Sequence, residues 1–347
     1  MIGSELRRGV SLLEARGLTL ASRSGEILVD GVDLTVRSGE ILALVGESGS
    51  GKSLTALALL GLLPEGIVRQ AGQVLLDGVE VTGLSGRHAA LRGRCIASIF
   101  QDPQASLDPR WTVGRYLGAQ FRRHGTAAGR TVAQASVEIL ARVGLADSRR
   151  ILRAYPHELS GGMAQRVMIA GALAADPRFL IADEPTTALD VTTQSQILDL
   201  LEELQAESEL GILLITHDLG VVAEMARRVV VLYGGKVMET GAADAVLTTP
   251  RHPYTEALLA SMPDIDALQP PKPIPGTPGD RLPAASGCPF QPRCGEAIGD
   301  CSIRPPGLAS HDGRSWACHR TELPSTQPEL RRPHQQPVRE RALVSFR

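Results

Sequence analysis

The apolar run Ile41-Leu42-Ala43-Leu44-Val45 passes directly into Gly46-Glu47-Ser48-Gly49-Ser50-Gly51-Lys52-Ser53. The second segment meets every position of the pattern G-x-x-x-x-G-K-[ST]. Five apolar residues in a row read as a parallel strand buried on both faces. Leu54-Thr55-Ala56-Leu57-Ala58-Leu59-Leu60 reads as a helix. Strand, glycine turn and helix in that order leave few folds open. The turn must aim backbone N–H groups at an anion, and the helix N-terminus must sit behind it. Glycine permits the positive φ values that such a loop needs. A plain turn ahead of a helix has no need of Lys-Ser after its last glycine. The expected ligand is ATP with Mg²⁺, held by Gly46, Glu47, Ser48, Gly49, Ser50, Gly51, Lys52 and Ser53. Lys52 is placed for the β- and γ-phosphates and Ser53 for the Mg²⁺ ion.

Two further apolar runs end in chemistry. Phe179-Leu180-Ile181-Ala182 stops at Asp183-Glu184, and Gly211-Ile212-Leu213-Leu214-Ile215-Thr216 stops at His217. Ligands collect at the carboxyl ends of parallel strands. Adjacent acids there can take different roles, Asp183 in the Mg²⁺ shell and Glu184 polarising the attacking water. His217 is placed for the γ-phosphate. Gln101, just after Ala97-Ser98-Ile99-Phe100, is placed for Mg²⁺ and the lytic water. The catalytic set is Lys52, Gln101, Glu184 and His217, and the Mg²⁺ set is Ser53, Gln101 and Asp183.

Leu159-Ser160-Gly161-Gly162-Met163-Ala164-Gln165-Arg166 lies between these motifs. It resembles the signature of ATP-binding cassette (ABC) ATPases. With the phosphate loop, Gln101, Asp183-Glu184, Ala188-Leu189-Asp190 and His217, the resemblance covers roughly residues 10–245. It implies a head-to-tail pair of cassettes, in which Ser160, Gly161, Gly162 and Asp190 help close ATP held by the partner's phosphate loop. Phe100-Gln101-Asp102-Pro103-Gln104-Ala105-Ser106-Leu107-Asp108-Pro109 and Pro250-Arg251-His252-Pro253-Tyr254-Thr255 resemble the oligopeptide, dipeptide and nickel importer branch. The implied function is an ATP-hydrolysing motor for a peptide importer. Its implied partners are a second ABC ATPase subunit, a sister chain rather than a copy, and two transmembrane permease subunits. An extracytoplasmic solute-binding protein would act indirectly, and no nucleic acid is involved. The rival is a soluble ABC protein of translation or repair, but those carry two cassettes or a long coiled-coil insert.

Many cassettes stack adenine on an aromatic residue that aligns near Ser22. No Phe, Trp or Tyr precedes Phe100 here. Arg23, with its planar guanidinium, is the available substitute. ATP and GTP should therefore compete about equally for the site. A strong preference for ATP in a competition binding assay would count against this expectation.

A length of 347 residues suggests two domains. A net charge of −2 argues against a surface that coats nucleic acid. No apolar run reaches the roughly 18 residues a bilayer span requires. The start of the chain, with Glu5 and Arg7-Arg8, does not read as a secretory signal. The expected location is peripheral, on the cytoplasmic face of the membrane, with other chains supplying the path.

The expected fold is α/β. It is a phosphate-loop ABC cassette with an antiparallel β subdomain, a RecA-like core and a helical subdomain, followed by a small Pro/Cys-rich C-terminal module. The cassette spans 10–245, with its helical insert at about 101–175. Within the insert, Thr131–Val143 has apolar residues at helical spacing. Residues 27–31 and 32–36 read as separate strand pieces, and 72–78 as a strand and turn. Val191–Glu207 reads as an amphipathic helix. Seventeen of the 23 prolines lie from Pro250 onward. The run Pro263–Pro283 can be neither regular helix nor central strand, so it reads as an arm. It leads to a module at 246–330 and a polar, mobile tail at 331–347.

Four of the five cysteines, Cys288, Cys294, Cys301 and Cys318, are separated by five, six and sixteen residues. In a cytosolic chain such clustering points to metal more than to disulfides. Four thiolates suit a [4Fe–4S] cluster or Zn²⁺, and free or paired thiols are the alternative. The run Cys288-Pro289-Phe290-Gln291-Pro292-Arg293-Cys294 resembles the tail of dipeptide-type importer ATPases, which implies the iron–sulfur cluster.

Overall fold

A computed structural model describes residues 10–81, 91–124, 129–187, 189–262, 270–281 and 286–320. Ala188, the polar tail and parts of the Pro263–Pro283 run lie outside the described residues. Strands β1 (Leu12–Ser22), β2 (Ile27–Arg37), β4 (Ile67–Leu76) and β5 (Val79–Glu80) form an antiparallel sheet in the order β2-β1-β4-β5. Its buried face carries Leu13, Ala15, Leu18, Leu20, Val29, Val32, Leu34 and Val36. The expected break at Gly31 and the expected start at Gly72 are both absent. Each strand runs through its glycine, because the ladder absorbs an irregularity there instead of ending. Gly72 has φ +83°, and a Cβ on it would lie 2.3 Å from the Gly17 carbonyl oxygen. Beside it the pairing of β1 with β4 shifts register between Arg16 and Thr19.

The second sheet has eight strands: β3 (Ile41–Val45), β6 (Ile96–Ile99), β7 (Phe179–Asp183), β8 (Gly211–Ile215), β9 (Arg228–Tyr233), β10 (Lys236–Ala242), β11 (Ala309–His311) and β12 (Arg314–Trp316). Their order is β11-β12-β10-β9-β3-β8-β7-β6. The pairs from β6 to β9 are parallel. All five residues of β3 are buried between β8 and β9, as a strand covered on both faces requires. This parallel arrangement brings the carboxyl ends of β3, β6, β7 and β8 to one edge. The phosphate loop, Gln101, Asp183-Glu184 and His217 follow those four ends.

Helix α1 (Lys52–Leu59) follows β3, and α2 (Leu91–Arg94) is a short turn interrupted at Gly93. The expected helical insert contains α3 (Pro103–Ser106), α4 (Val113–His124), α5 (Val132–Arg142), α6 (Ser148–Ile151) and α7 (Gly161–Leu173). Thr131 opens α5 with a capping box shared with Gln134, satisfying N–H groups that the first turn leaves free. Leu117, Ile139, Leu140, Val167 and Ile169 from these helices join Ile99, Leu180 and Ile212 from the sheet in one apolar cluster. Helices α8 (Val191–Ser208), α9 (Leu219–Met225), α10 (Ala243–Thr248), α11 (Pro253–Ala260) and α12 (Asp300–Ile303) complete the described set. Among the described residues no helix is long and apolar enough to cross a membrane.

The tail packs against the cassette. The β11–β12 hairpin extends the main sheet, with Trp316 opposite Glu239 of β10. Cys288, Phe290 and Cys301 share an apolar cluster with Val45, Tyr233 and Tyr254. A buried polar network locks this junction. Glu239, 0% exposed, accepts from the backbone N–H groups of Arg251 and His252 and from Arg314 Nη2 at 2.8 Å. Breaking a buried pair of this kind costs about 3–5 kcal/mol. Sequence composition marks the C-terminal region as different; tertiary pairing ties its last hairpin to the main sheet.

Candidate nucleotide site

The phosphate loop takes the shape its glycines allow. Gly46 has φ +148°, and a Cβ there would collide with the Leu232 carbonyl oxygen at 2.1 Å. Gly51 has φ +103° and caps α1 without a side chain. Lys52 is buried, and its Nζ donates to the carbonyls of Gly46 at 2.7 Å and Glu47 at 2.9 Å. Burial lowers its pKa, while Glu184, Asp183 and Glu47 work to keep it charged. Ser48 and Gly49 are exposed, and Ser50 is buried. Ser53, one residue on, lies beside the Asp183 carboxylate and favours its charged form. Burial raises the Asp183 pKa from its ordinary value, and the neighbouring Glu184 adds to the rise. This hydroxyl and carboxylate fit Mg²⁺, which prefers a few oxygen donors together with substrate phosphates.

Glu184 stands at the centre of the expected catalytic set. Gln101 Nε2 donates to its Oε2 at 2.8 Å, and Thr187 Oγ1 donates to the same oxygen at 2.9 Å. His217 Nδ1 lies 3.2 Å from Oε1. Three side chains, from the ends of β6 and β8 and from the turn after β7, thus converge on one carboxylate. The backbone of Glu184 has φ +47°, left-handed for a residue with a side chain. Such a conformation costs on the order of 1–3 kcal/mol and survives where the surroundings enforce it. Here the Glu184 N–H donates to the Ile215 carbonyl at 2.9 Å, tying it to the end of β8.

Ser160 caps α7, its hydroxyl accepting from the Met163 N–H at 3.2 Å. Ser160 is exposed, and Gly161 and Gly162 follow it half-buried. A Cβ on Gly162 would meet the Thr193 methyl at 2.5 Å, so α7 and α8 approach closely there. Asp190 caps α8, accepting from the Thr193 N–H at 3.0 Å and from Thr193 Oγ1 at 2.7 Å. Ser160, Gly162, Asp190 and Thr193 therefore form a second patch, built from helix starts. Arg23, the expected adenine partner, is exposed in the turn between β1 and β2, 3.9 Å from Glu65.

Sequence reasoning missed Thr187, which sits inside a turn with no signal of its own. It also missed the contacts of Glu47 with Tyr254 and Arg293. No local pattern links position 47 to positions 254 and 293.

Comparison with known proteins agrees with this geometry. The "ABC transporter" family profile matches residues 29–187, and the "Oligopeptide/dipeptide transporter, C-terminal region" profile matches residues 238–301. The oligopeptide transport ATP-binding protein AppD of Bacillus subtilis is 45% identical over 297 residues, covering 84% of this chain and 90% of AppD. The chain belongs to the ABC transporter ATPase family. Another ABC relative, the dipeptide transport ATP-binding protein DppD of Escherichia coli, is 43% identical with the same coverage of each chain. Among solved structures, a dimeric bacterial ABC transporter cassette superposes with a TM-score of 0.58 at 29% identity. That match covers 67% of this chain and 98% of the other.

The cysteine expectation fares differently from the rest of the ABC reading. Among the described residues, no group of three or more His, Cys, Asp or Glu side chains is arranged to hold a metal ion. The four tail cysteines are free thiols, with Cys288 and Cys301 buried in the apolar cluster behind the phosphate loop. Burial pushes the Cys288 thiol up to about 12 and Cys294 up to about 11, with mutual repulsion among the thiolates adding to both. Neither the [4Fe–4S] cluster nor its Zn²⁺ alternative finds support in this arrangement.

Proposed function

We propose that this ABC ATPase is the motor subunit of a membrane importer for peptides. The observation that carries the reading is the Glu184 carboxylate, held by Gln101, Thr187 and His217 beside the Ser53–Asp183 pair. In the proposed reaction, water attacks the γ-phosphorus and the bond to the β–γ bridging oxygen breaks. Its electron pair leaves on ADP, and Glu184 draws the proton from the water. Lys52 and His217 meet the charge on the γ-phosphate, while Ser53, Gln101 and Asp183 organise Mg²⁺. The ion, when bound, neutralises phosphate charge.

The signature patch around Ser160, Gly161, Gly162 and Asp190 would complete the ATP site of a partner cassette. We take that partner to be a sister chain beneath two membrane-spanning permease chains. The assembly would sit on the cytoplasmic face, with a solute-binding protein acting from the other side. Peptide as cargo is supported by the match of residues 238–301 to the oligopeptide/dipeptide transporter C-terminal region. The names of the relatives agree. The helical block adds a cleft of about 370 Å³ lined by Arg150, Ile151, Ala154, Leu159 and Met163, next to the signature. A permease loop would dock there and feel α7 move.

Affinity purification of the tagged chain from detergent-solubilised native membranes tests the assembly. A second cassette and two membrane-spanning chains should co-purify. Addition of peptide-loaded binding protein should then raise ATP turnover several-fold in reconstituted vesicles. Recovery with ribosomes or DNA-repair proteins instead would favour the soluble reading.

A further inference from the structure

The C-terminal arm reaches back to the phosphate loop at one residue, Glu47. Its backbone N–H donates to Tyr254 Oη at 2.8 Å. Its carboxylate takes a forked pair of bonds from Arg293, Nη1 to Oε2 at 2.6 Å and Nη2 to Oε1 at 3.1 Å. Its carbonyl accepts from Lys52. Arg293 is itself fixed on every side. Its Nε donates to the Pro275 carbonyl at 2.6 Å, Nη1 lies 3.3 Å from Tyr233 Oη, and the guanidinium stands 5.7 Å from the Tyr233 ring centroid. The Arg293 side chain is 2% exposed, whereas that of Glu47 is 20% exposed. Phe290, also 2% exposed, packs against Tyr233 and Tyr254 with ring centroids 5.2 and 5.1 Å away. The arm therefore delivers one rigid cation to one loop carboxylate.

That carboxylate is a problem for the loop that bears it. The loop must accept a triphosphate, yet Glu47, Asp183 and Glu184 already place three negative charges around Lys52. Asp183 and Glu184 have uses in the reaction. The Glu47 side chain has none there, although its backbone belongs to the loop expected to hold ATP, and an unpaired carboxylate in that loop would repel the incoming phosphates. We infer that Arg293 is a positioning residue for nucleotide: it neutralises Glu47 and, with Tyr254, braces the loop so that ATP can enter. The C-terminal arm is then part of the nucleotide site. The inference rests on the ATP-binding reading of the phosphate loop.

The test is equilibrium titration of the full-length protein with a fluorescent ATP analogue, accompanied by thermal melting. Arg293→Met should weaken binding about tenfold, the effect of one uncompensated charge at partly screened range. It should also raise KM for ATP while kcat stays within about twofold of wild type. Glu47→Gln, which keeps the bonding shape without the charge, should bind as well as wild type or more tightly. Arg293→Met combined with Glu47→Gln should restore affinity to within about threefold of wild type. A purely structural arm gives the opposite pattern, with the double variant as weak as Arg293→Met. Unchanged affinity in Arg293→Met would also overturn the brace. If Arg293→Met does not fold, Glu47→Gln still decides, because a clear loss of affinity there contradicts charge relief. A wild-type protein that takes up no nucleotide would overturn the ATP reading and the brace together.

Discussion

Glu184→Gln should reduce steady-state ATP hydrolysis by about 10²–10³-fold while leaving ATP binding intact. The substitution removes the charge that draws a proton from water but keeps the shape. A glutamine carbonyl can still accept from Thr187 Oγ1 and Gln101 Nε2, which now hold the Glu184 carboxylate. The left-handed backbone at this position is set by the Ile215 carbonyl and the strand ends around it, so it should survive the change. ATP that binds without being cleaved should hold the cassettes closed. Size-exclusion chromatography with ATP and Mg²⁺ should then show a dimer, with its sister cassette or with itself, that ADP does not support. Full turnover by the variant would remove Glu184 from its assigned role.

Lys52→Ala should lower ATP affinity on the order of a hundredfold, or about 3 kcal/mol. Lys52 is buried at the start of α1, where it adds a full charge to the partial charge of the helix terminus. Burial pulls its pKa down, yet Glu184, Asp183 and Glu47 all favour the charged form. The fold should tolerate the loss. The buried Gly46 carbonyl and the part-buried Glu47 carbonyl lose their donor, at a cost of about 1–3 kcal/mol. Calorimetric titration checks affinity, and a melting curve checks the fold. An unchanged dissociation constant would mean that the phosphates bind elsewhere.

Most of the nucleotide site was legible in the sequence because its parts are local. A phosphate loop, a strand-end acid pair and a helix-start signature each need particular residues at adjacent positions. The apolar runs before them identify the strands, since a buried parallel strand tolerates little else. Gln101 and His217 were singled out for the same reason, as each follows such a run, and both reach Glu184. The metal expected at the cysteine tail finds no support among the described residues, since spacing alone does not set how buried thiols are aimed. Composition marked the C-terminal region as different, and only the structure shows that β12 pairs with β10 and that Phe290 packs beside Tyr233. The strand breaks expected at Gly31 and Gly72 failed similarly. A glycine can end a strand or ease a bulge, and only the partner strand decides which.

By itself, then, the sequence determined the segments from which a nucleotide site can be built: a glycine-rich loop before a helix, an acid pair at a strand end, and a Ser-Gly-Gly helix start. These are properties of short segments, set by backbone freedom, side-chain charge and strand or helix period. Tertiary structure alone decided that Gln101, Thr187 and His217 meet on Glu184, and that Arg293 reaches Glu47 across 246 positions of chain. Such contacts depend on sheet order and on which apolar faces bury each other. Both are collective outcomes of packing, and no single stretch of residues encodes them.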